Sequence, residues 1–409
     1  MNSFKINETE YIIDNTIENN SFVGIKVINN KYHLYFPIGY KIKDDSNEKD
    51  YKKILRYLYK TVIITKTVEH DLDYSYEKEK ENIIPMNSYL SILSDYYSNG
   101  IYKYNEKKFI NDVRGKINWK RTFKNGFYIV NEKPLYTNTV IEYNKKETNI
   151  ITQLQLYCIN KAIDMLTFLG DFNKPFSSIK KEDIDKNIKQ YNLILDKELR
   201  NTNNDKKKIL LENIKSIIND CNNSENKIRT FGTLNYHVSF EKMIDKLFGS
   251  EKNLKEFYPN ATWKLVNNPK EFESTKLRED TIYKNDKEIY IIDSKYYRYG
   301  VMDYDQNLLP NTSSIHKQIV YGEYVKNKFP NYKVYNCFII PSDINEFIDY
   351  KGYAKMKLSE IDKEEEYKYV YLCFINMNQV IDYYFEKKNN HIKELIEVLE
   401  KNIINEKKD

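Results

Sequence analysis

The sequence predicts an α/β protein with a central mixed β-sheet flanked by helices, preceded by an α+β N-terminal region and a helical connector. Two strongly apolar segments, 333–340 and 368–375, have the length and composition of buried strands. Helical patterns lie between and beyond them, as expected where helices cover both faces of a sheet. The 409 residues exceed the length of a typical single domain, so we expect several domains.

The N-terminal α+β region is predicted to span residues 1–145. Its segments 23–28 and 31–36 flank Asn29-Asn30, which is typical of a β-hairpin turn. Further elements are expected in this order: a helix at about 50–68, a helix at about 86–97 that ends before Asn99-Gly100, and three β-rich segments from Gly115 to about Tyr143.

The role of this region is open between binding a partner and contacting DNA. Trp119 stands between Asn118 and Lys120-Arg121, so its ring could stack on a base or its neighbours could bind phosphate. The alternative is an edge-strand aromatic that packs on its own domain.

Residues 146–230 are predicted to form a helical connector. A long apolar pattern from about 147 to 169 indicates one helix, and polar, Asn- and Lys-rich helices follow over 173–230. The run 201–208 is expected to be a solvated loop and the start of a helix, with a DNA-contacting arm as the alternative.

Residues 231–409 are predicted to form the α/β domain. Its elements are, in order, a helix at 238–248, a strand near 262–266, a hairpin at 277–297, a helix at about 314–328, the two apolar strands and a helix from 391 to about 405.

Composition limits the class of protein. No run of about 18 apolar residues is present and the N-terminus lacks an apolar signal core, so we expect a cytoplasmic protein without a membrane segment. The four cysteines lie far apart, which favours reduced thiols over disulfides or a zinc site. The net charge of +5 is too small to indicate nucleic-acid binding by itself.

The hairpin at 277–297 carries the clearest chemical signal. With Asn285-Asp286 as its turn, Asp280 lies opposite Ile291, and alternation along the strand places Asp280, Asp293 and Lys295 on one face. The two aspartates would then be diagonal neighbours, about 7–8 Å apart. A slip of one residue would separate them onto opposite faces.

Two carboxylates on one face suit a hard divalent cation such as Mg²⁺, for which Mn²⁺ can substitute. A bound metal lowers the pKa of a water and stabilises charge on a phosphate, and Lys295 could orient that water, deprotonate it or contact the phosphate. A surface hairpin with an ordinary Asp-Lys pair is the alternative. Against it, the apolar run 289–292 predicts a buried strand, where a carboxylate needs a partner or a metal.

Two further side chains are candidates for the same site. Glu241 lies at the edge of the apolar stripe of the 238–248 helix, whereas Lys242 points away from it. Gln318 shares an apolar helix face with Tyr321 and must find a hydrogen-bond partner there. Glu241 could instead be exposed and paired with lysine, and His316 is expected to be a surface residue.

These residues resemble the PD-(D/E)xK nuclease superfamily, which has a helix glutamate, an aspartate, an Asp-x-Lys strand and a Gln-x-x-Tyr helix. The strings 231–244 and 115–122 are similar to those of LlaJI-type restriction endonucleases, which are related to the nuclease subunit of McrBC. Glu279 departs from the pattern, since proline is frequent there.

The resemblance implies a restriction-endonuclease-like core and Mg²⁺-dependent cleavage of double-stranded DNA in a bacterial restriction system. It implies that Asp280 and Asp293 are metal ligands, that Lys295 is the catalytic lysine, that Glu241 is an accessory ligand and that Gln318 lies near the site.

The resemblance also implies an McrB-like AAA+ GTPase partner. The chain lacks a Gly-x-x-x-x-Gly-Lys-Ser/Thr loop, so nucleotide-driven motion would come from that partner. The rival functions are a repair or recombination nuclease, and a non-catalytic adaptor that keeps the nuclease fold to bind DNA or a partner.

Overall fold

The computed structural model describes most of the chain: residues 3–6, 9–14, 22–29, 31–43, 45–71, 83–112, 114–130, 132–136, 138–222, 228–250, 254–266, 268–274, 278, 280–301, 305–356, 365–388 and 391–406. Glu279, the departure from the proline pattern, lies outside the described residues.

The described residues form seventeen strands: β1 Ser3–Ile6, β2 Thr9–Ile13, β3 Val23–Ile28, β4 Lys31–Tyr35, β5 Tyr104–Asn111, β6 Lys116–Ile117, β7 Tyr128–Val130, β8 Lys133–Leu135, β9 Val140–Glu147, β10 Arg229–Thr233, β11 Thr262–Leu265, β12 Asn268–Glu273, β13 Thr281–Lys284, β14 Glu288–Ser294, β15 Lys333–Ser342, β16 Ile348–Lys355 and β17 Tyr369–Asn376.

They also form ten α-helices: α1 Glu48–Asp71, α2 Met86–Asn99, α3 Trp119–Lys124, α4 Ile150–Met165, α5 Lys181–Asn201, α6 Asp205–Asn222, α7 Tyr236–Phe248, α8 Thr312–Lys328, α9 Met377–Glu386 and α10 Ile392–Glu406. None of these helices is long and apolar enough to cross a membrane.

The N-terminal sheet has the strand order β1-β2-β4-β3-β10. The predicted hairpin is confirmed: β3 and β4 pair from Ile28 and Lys31 outward, and Asn29 takes the left-handed conformation with φ of 50°. β10 comes from much later in the chain and pairs antiparallel with β3. The expected boundary at 230 therefore falls inside a strand of this sheet, and the one at 145 falls inside β9.

A buried ion pair joins the helical segment to this sheet. Arg229 of β10 donates to Asp220 of α6 at 2.6 Å, and Tyr89 of α2 donates to the same carboxylate oxygen at 2.7 Å. The apolar side of α6 is also buried, and its members share one core with α4 and α7: Leu210, Leu211, Ile214, Ile217 and Ile218. Helix α6 of the expected connector is thus part of the same hydrophobic core as α4 and α7.

Trp119 lies on a helix and not on an edge strand, although it packs on rings of its own region, Phe123 and Tyr136, as that alternative expected. It is the first residue of the short helix α3, where the Asn118 side chain accepts a hydrogen bond from the backbone N–H of Arg121. An N-cap asparagine of this kind favours a helical turn over continued β pairing. Trp119 remains 50% exposed.

The central sheet has the order β13-β14-β15-β17-β16, with three parallel strands inside and an antiparallel strand at each edge. The predicted mixed α/β sheet with helices on both faces is confirmed. Tyr290 and Ile292 point to the face covered by α7, whereas Ile289 and Ile291 point to the face covered by α8.

Three elements of this region differ from expectation. β16 was missed because it is an edge strand that alternates between half-buried and exposed residues. α9 was missed as well, although Asn376 caps its first turn by accepting from Gln379 N–H. The strand predicted near 262–266 is present, but it pairs with β12 in an exposed two-stranded hairpin outside the central sheet.

The prediction of reduced thiols is confirmed. All four cysteines are free and buried.

Candidate functional site

The site is built on the β13–β14 hairpin, whose turn lies one residue later than expected. Asn285 N–H donates to Glu288 O at 3.0 Å, so the turn is centred on Asp286-Lys287 rather than on Asn285-Asp286. The Asn285 side chain accepts from the N–H groups of Lys287 and Glu288 and fixes this turn. The predicted turn was wrong because the asparagine closes the turn instead of occupying its centre.

This change shifts the pairing by two residues and so keeps every side chain on its predicted face. Thr281 pairs with Ile292, which brings the preceding Asp280 level with Asp293. The sequence had placed Asp280 level with Ile291. The two aspartates therefore come closer together than the predicted diagonal arrangement.

Asp280 lies at the mouth of the hairpin and is half-buried. Its Oδ2 accepts a hydrogen bond from Ser294 N–H at 2.8 Å, which ties it to the end of β14. Burial, together with the negative charges of Asp293 and Glu241, raises the pKa of Asp280 to about 8 against the opposing Ser294 hydrogen bond. Asp280 therefore holds its proton more tightly than an exposed aspartate does.

Asp293 and Lys295 form a close ion pair at the end of β14. Asp293 is 8% exposed, and its Oδ2 lies 2.6 Å from the Lys295 Nζ. Burial lowers the pKa of Lys295, but the charge of Asp293 and its hydrogen bond outweigh burial, so the net pKa is raised. The backbone N–H of Lys295 donates to Ile339 O at 2.9 Å, which holds the lysine against β15.

Helix α8 holds β14 and the segment that leads into β13. The Gln318 amide donates to Ile291 O at 3.1 Å, and the Tyr321 hydroxyl donates to Arg278 O at 2.8 Å. Both side chains are 1% exposed. Gln318 is thus buried and hydrogen-bonded as expected, and its amide nitrogen bonds the backbone of β14. Its Oε1 has no partner among the described residues.

Glu241 approaches the site from α7. It is half-buried while Lys242 is exposed, as the helix pattern predicted. Burial and the charge of Asp293 raise the pKa of Glu241 to about 7, although Lys295 and Lys317 oppose this shift. Lys317 was missed by sequence reasoning; its position beside Gln318 on α8 was the available signal. His316 is exposed, as predicted.

The residues fit a divalent cation held by two carboxylates. Asp280 and Asp293 offer hard oxygen ligands, and their mutual repulsion leaves a place where added positive charge would be favourable. Among the described residues, no group of three or more His, Cys, Asp or Glu side chains is arranged to hold a metal. Glu241 therefore lies near the pair without completing a three-carboxylate set.

Comparison with known proteins gives one family match. The family described as LlaJI restriction endonuclease matches residues 22–388. No curated protein matches the chain. Among solved structures, the chain is similar to one in a refined half-complex from the tetradecameric assembly of Thermococcus gammatolerans McrB AAA+ hexamers with bound McrC. The identity is 14% and the TM-score is 0.33, over 87% of this chain and 77% of that chain.

The raised pKa of Asp280 predicts a specific pH dependence of stability. Its folded value of about 8 exceeds that of a free aspartate, so the folded state binds more protons than the unfolded state between about pH 4 and pH 8. This contribution to stability is complete below about pH 4 and is lost as the pH rises to about 8. The Asp280→Asn variant lacks it.

Thermal unfolding of EDTA-treated protein between about pH 5 and pH 8.5 measures this effect. The wild-type midpoint is expected to fall relative to that of Asp280→Asn as the pH rises. Parallel curves for the two proteins would contradict the crowding of carboxylates at this site.

Proposed function

Because the chain belongs to the LlaJI restriction endonuclease family, we propose that it is an Mg²⁺-dependent endonuclease that hydrolyses phosphodiester bonds of double-stranded DNA in a bacterial restriction system. One observation carries the proposal: Asp280, Asp293 and Lys295 meet at one end of two paired strands, with Asp293 and Lys295 in contact at 2.6 Å. The central mixed sheet supports a restriction-endonuclease-like core of the PD-(D/E)xK type.

The roles follow from the chemistry of each group. Asp280 and Asp293 would hold Mg²⁺ or Mn²⁺, and Glu241 would serve as an accessory acid beside them. The bound ion would lower the pKa of a water and offset charge on the scissile phosphate. The Lys295 ammonium would donate to a phosphate oxygen or orient the attacking water.

Helix α8 fixes the main chain next to these groups through two side-chain hydrogen bonds. Gln318 holds the backbone of β14 two residues before Asp293, and Tyr321 holds the backbone two residues before Asp280. Both are positioning residues in this proposal, because their bonds go to main-chain carbonyls. Well-held catalytic groups are what an active site requires and an adaptor does not.

We also propose that an McrB-like AAA+ GTPase assists cleavage. This rests on the family resemblance and on the absence of a phosphate-binding Gly-Lys-Ser/Thr loop from the sequence. The family membership favours restriction over repair or recombination.

The catalytic assignment predicts the effect of two substitutions. Asp293→Ala and Lys295→Ala should each lower the rate of DNA cleavage at least about 100-fold, the loss expected when a group acting in the transition state is removed. Plasmid nicking and linearisation with Mg²⁺ measures the rate, and circular dichroism checks that each variant is folded. The matched control is Asp286→Ala in the exposed turn of the same hairpin, which should cleave normally. Cleavage retained by either site variant would refute the assignment.

The metal assignment predicts direct binding. Isothermal titration of the EDTA-treated, dialysed protein with Mg²⁺ or Mn²⁺ should show uptake, accompanied near pH 7 by release of protons from the crowded carboxyls. Asp280→Asn should remove that uptake because it takes away one of the two ligands. If the variant binds metal as well as the wild type does, Asp280 is not a ligand.

The partner assignment predicts that the purified chain alone cleaves plasmid DNA poorly. Adding a neighbouring AAA+ GTPase together with GTP should raise cleavage at least about tenfold, and a non-hydrolysable GTP analogue separates nucleotide binding from hydrolysis. Complete, site-specific cleavage by the chain alone would overturn this dependence.

A further inference from the structure

Residues 114–136, here called the basic-aromatic module, carry an unusual share of the charge of the chain. The segment holds six basic residues and one acidic residue, for a net charge of +5. The whole chain also has a net charge of +5, so all other residues together are neutral. The six basic residues are Arg114, Lys116, Lys120, Arg121, Lys124 and Lys133.

These basic side chains lie at the surface, where the Arg121 guanidinium stacks over the Phe109 ring with 3.7 Å to its centroid. All six are exposed, and four of them, the lysines, have no ion-pair partner among the described residues. Some lysines elsewhere are paired: Lys53, for instance, lies 2.8 Å from Asp382 and 3.2 Å from Glu386. The module therefore presents a concentrated positive field to solvent.

The same segment exposes large aromatic rings. Trp119, Phe123 and Phe127 each lie within 5.8 Å of the Tyr136 ring, yet each remains about half exposed. The rings cover one another on one side and leave the other side open. A surface ring held in this way is available to contact a flat or apolar partner.

The β7–β8 hairpin extends this surface. Tyr128 is 67% exposed, Ile129 is 73% exposed and Leu135 is 54% exposed. Exposed apolar side chains grouped in this number normally mark a binding surface. The module is also tied to the main core, since β9 leads through two residues into α4, whose side chains are buried there.

The positive charge of the module favours one kind of binding partner over the others. A second copy of this chain would bring +5 against +5, which opposes self-association through this face. A polyanion is complementary to it. Free cations contact phosphates, and exposed aromatic or aliphatic side chains press against base edges or insert between base steps in the minor groove.

We propose that the basic-aromatic module binds duplex DNA, with its lysines on the phosphate backbone and Trp119 and the β7–β8 hairpin against the groove. The inference rests on the proposed function, in which DNA is the substrate. It adds a second DNA contact, built on elements other than the hairpin that carries Asp280 and Asp293. DNA held there would be attached to the core of the nuclease before and during cleavage.

Neutralising the lysines of the module tests their contacts with the phosphate backbone. The variant Lys116→Gln, Lys120→Gln, Lys124→Gln and Lys133→Gln should bind a fluorescein-labelled 30-bp duplex at least about 10-fold more weakly at about 100 mM salt. Its slope of log affinity against log salt should be shallower by about 3.6, since each of the four lost phosphate contacts removes about 0.9 from the slope. Fluorescence anisotropy in EDTA measures binding without cleavage.

The matched control removes the same charge elsewhere. Lys189→Gln, Lys197→Gln, Lys393→Gln and Lys401→Gln alter exposed lysines of α5 and α10 and should leave the affinity within about twofold of the wild type. Equal affinities for the two quadruple variants would overturn the proposal. So would normal DNA binding by the module variant combined with loss of stimulation by the AAA+ partner, because the surface would then dock a protein.

Tryptophan fluorescence tests the groove contact separately. The chain has only two tryptophans, so Trp263→Phe leaves Trp119 as the single emitter. Duplex DNA should quench and shift this emission with the same affinity that anisotropy gives. Binding by anisotropy with unchanged Trp119 emission would place the DNA elsewhere. Because both measurements are made in EDTA, a failure of the proposed cleavage would leave their outcome intact.

Discussion

The candidate site depends on the burial of like charges in one register of one hairpin. Asp280 and Asp293 come level with each other where β13 and β14 begin and end, and the surrounding protein removes much of the water that would screen them. Two carboxylates in such a position repel each other, and their repulsion energy is larger in a low dielectric than in water. Lys295 offsets part of it through a 2.6 Å contact with Asp293. The repulsion that Lys295 does not offset would be lowered by a bound cation, and this property makes the site suitable for a metal.

The rest of the domain keeps these charges from moving apart. Gln318 and Tyr321 use side-chain hydrogen bonds to hold the main chain of β14 and of the segment before β13, and both side chains are buried. Ser294 N–H holds Asp280 directly. On the other face, Tyr290 and Ile292 pack into the large core shared with α7. The carboxylates are thus fixed by backbone contacts and by packing, so their repulsion cannot be relieved by a small shift of either strand.

The chain carries one cluster of acidic groups and one cluster of basic groups. Asp280 and Glu241, whose pKa values are raised, lie near Asp293, whereas exposed lysines without an ion-pair partner among the described residues gather in residues 114–136. The β10–β3 pairing and the buried Arg229–Asp220 ion pair join the N-terminal sheet to the helical segment. A charge pair buried in this way tolerates little rearrangement. The arrangement suits a protein that holds a polyanion with one surface and acts on it with another.

Sequence alone determined the elements whose signal is local. The apolar runs 333–340 and 368–375 became β15 and β17, and β3 and β4 paired as a hairpin. The periodicity of α7 and α8 placed Glu241 at an edge and Gln318 inside. Alternation along the hairpin also fixed the face of Asp280, Asp293 and Lys295, because a shift of two residues leaves every face unchanged.

Tertiary structure decided what depends on distant partners. The turn moved by one residue because the Asn285 side chain bonds the backbone that follows it, and this made Asp280 level with Asp293. β10 joined the N-terminal sheet and β16 became an edge strand, although neither segment shows a strong pattern of its own. The raised pKa values of Asp280 and Glu241 and the exposure of the basic-aromatic module could likewise not be predicted from the sequence. Burial is set by residues that only the folded chain brings together.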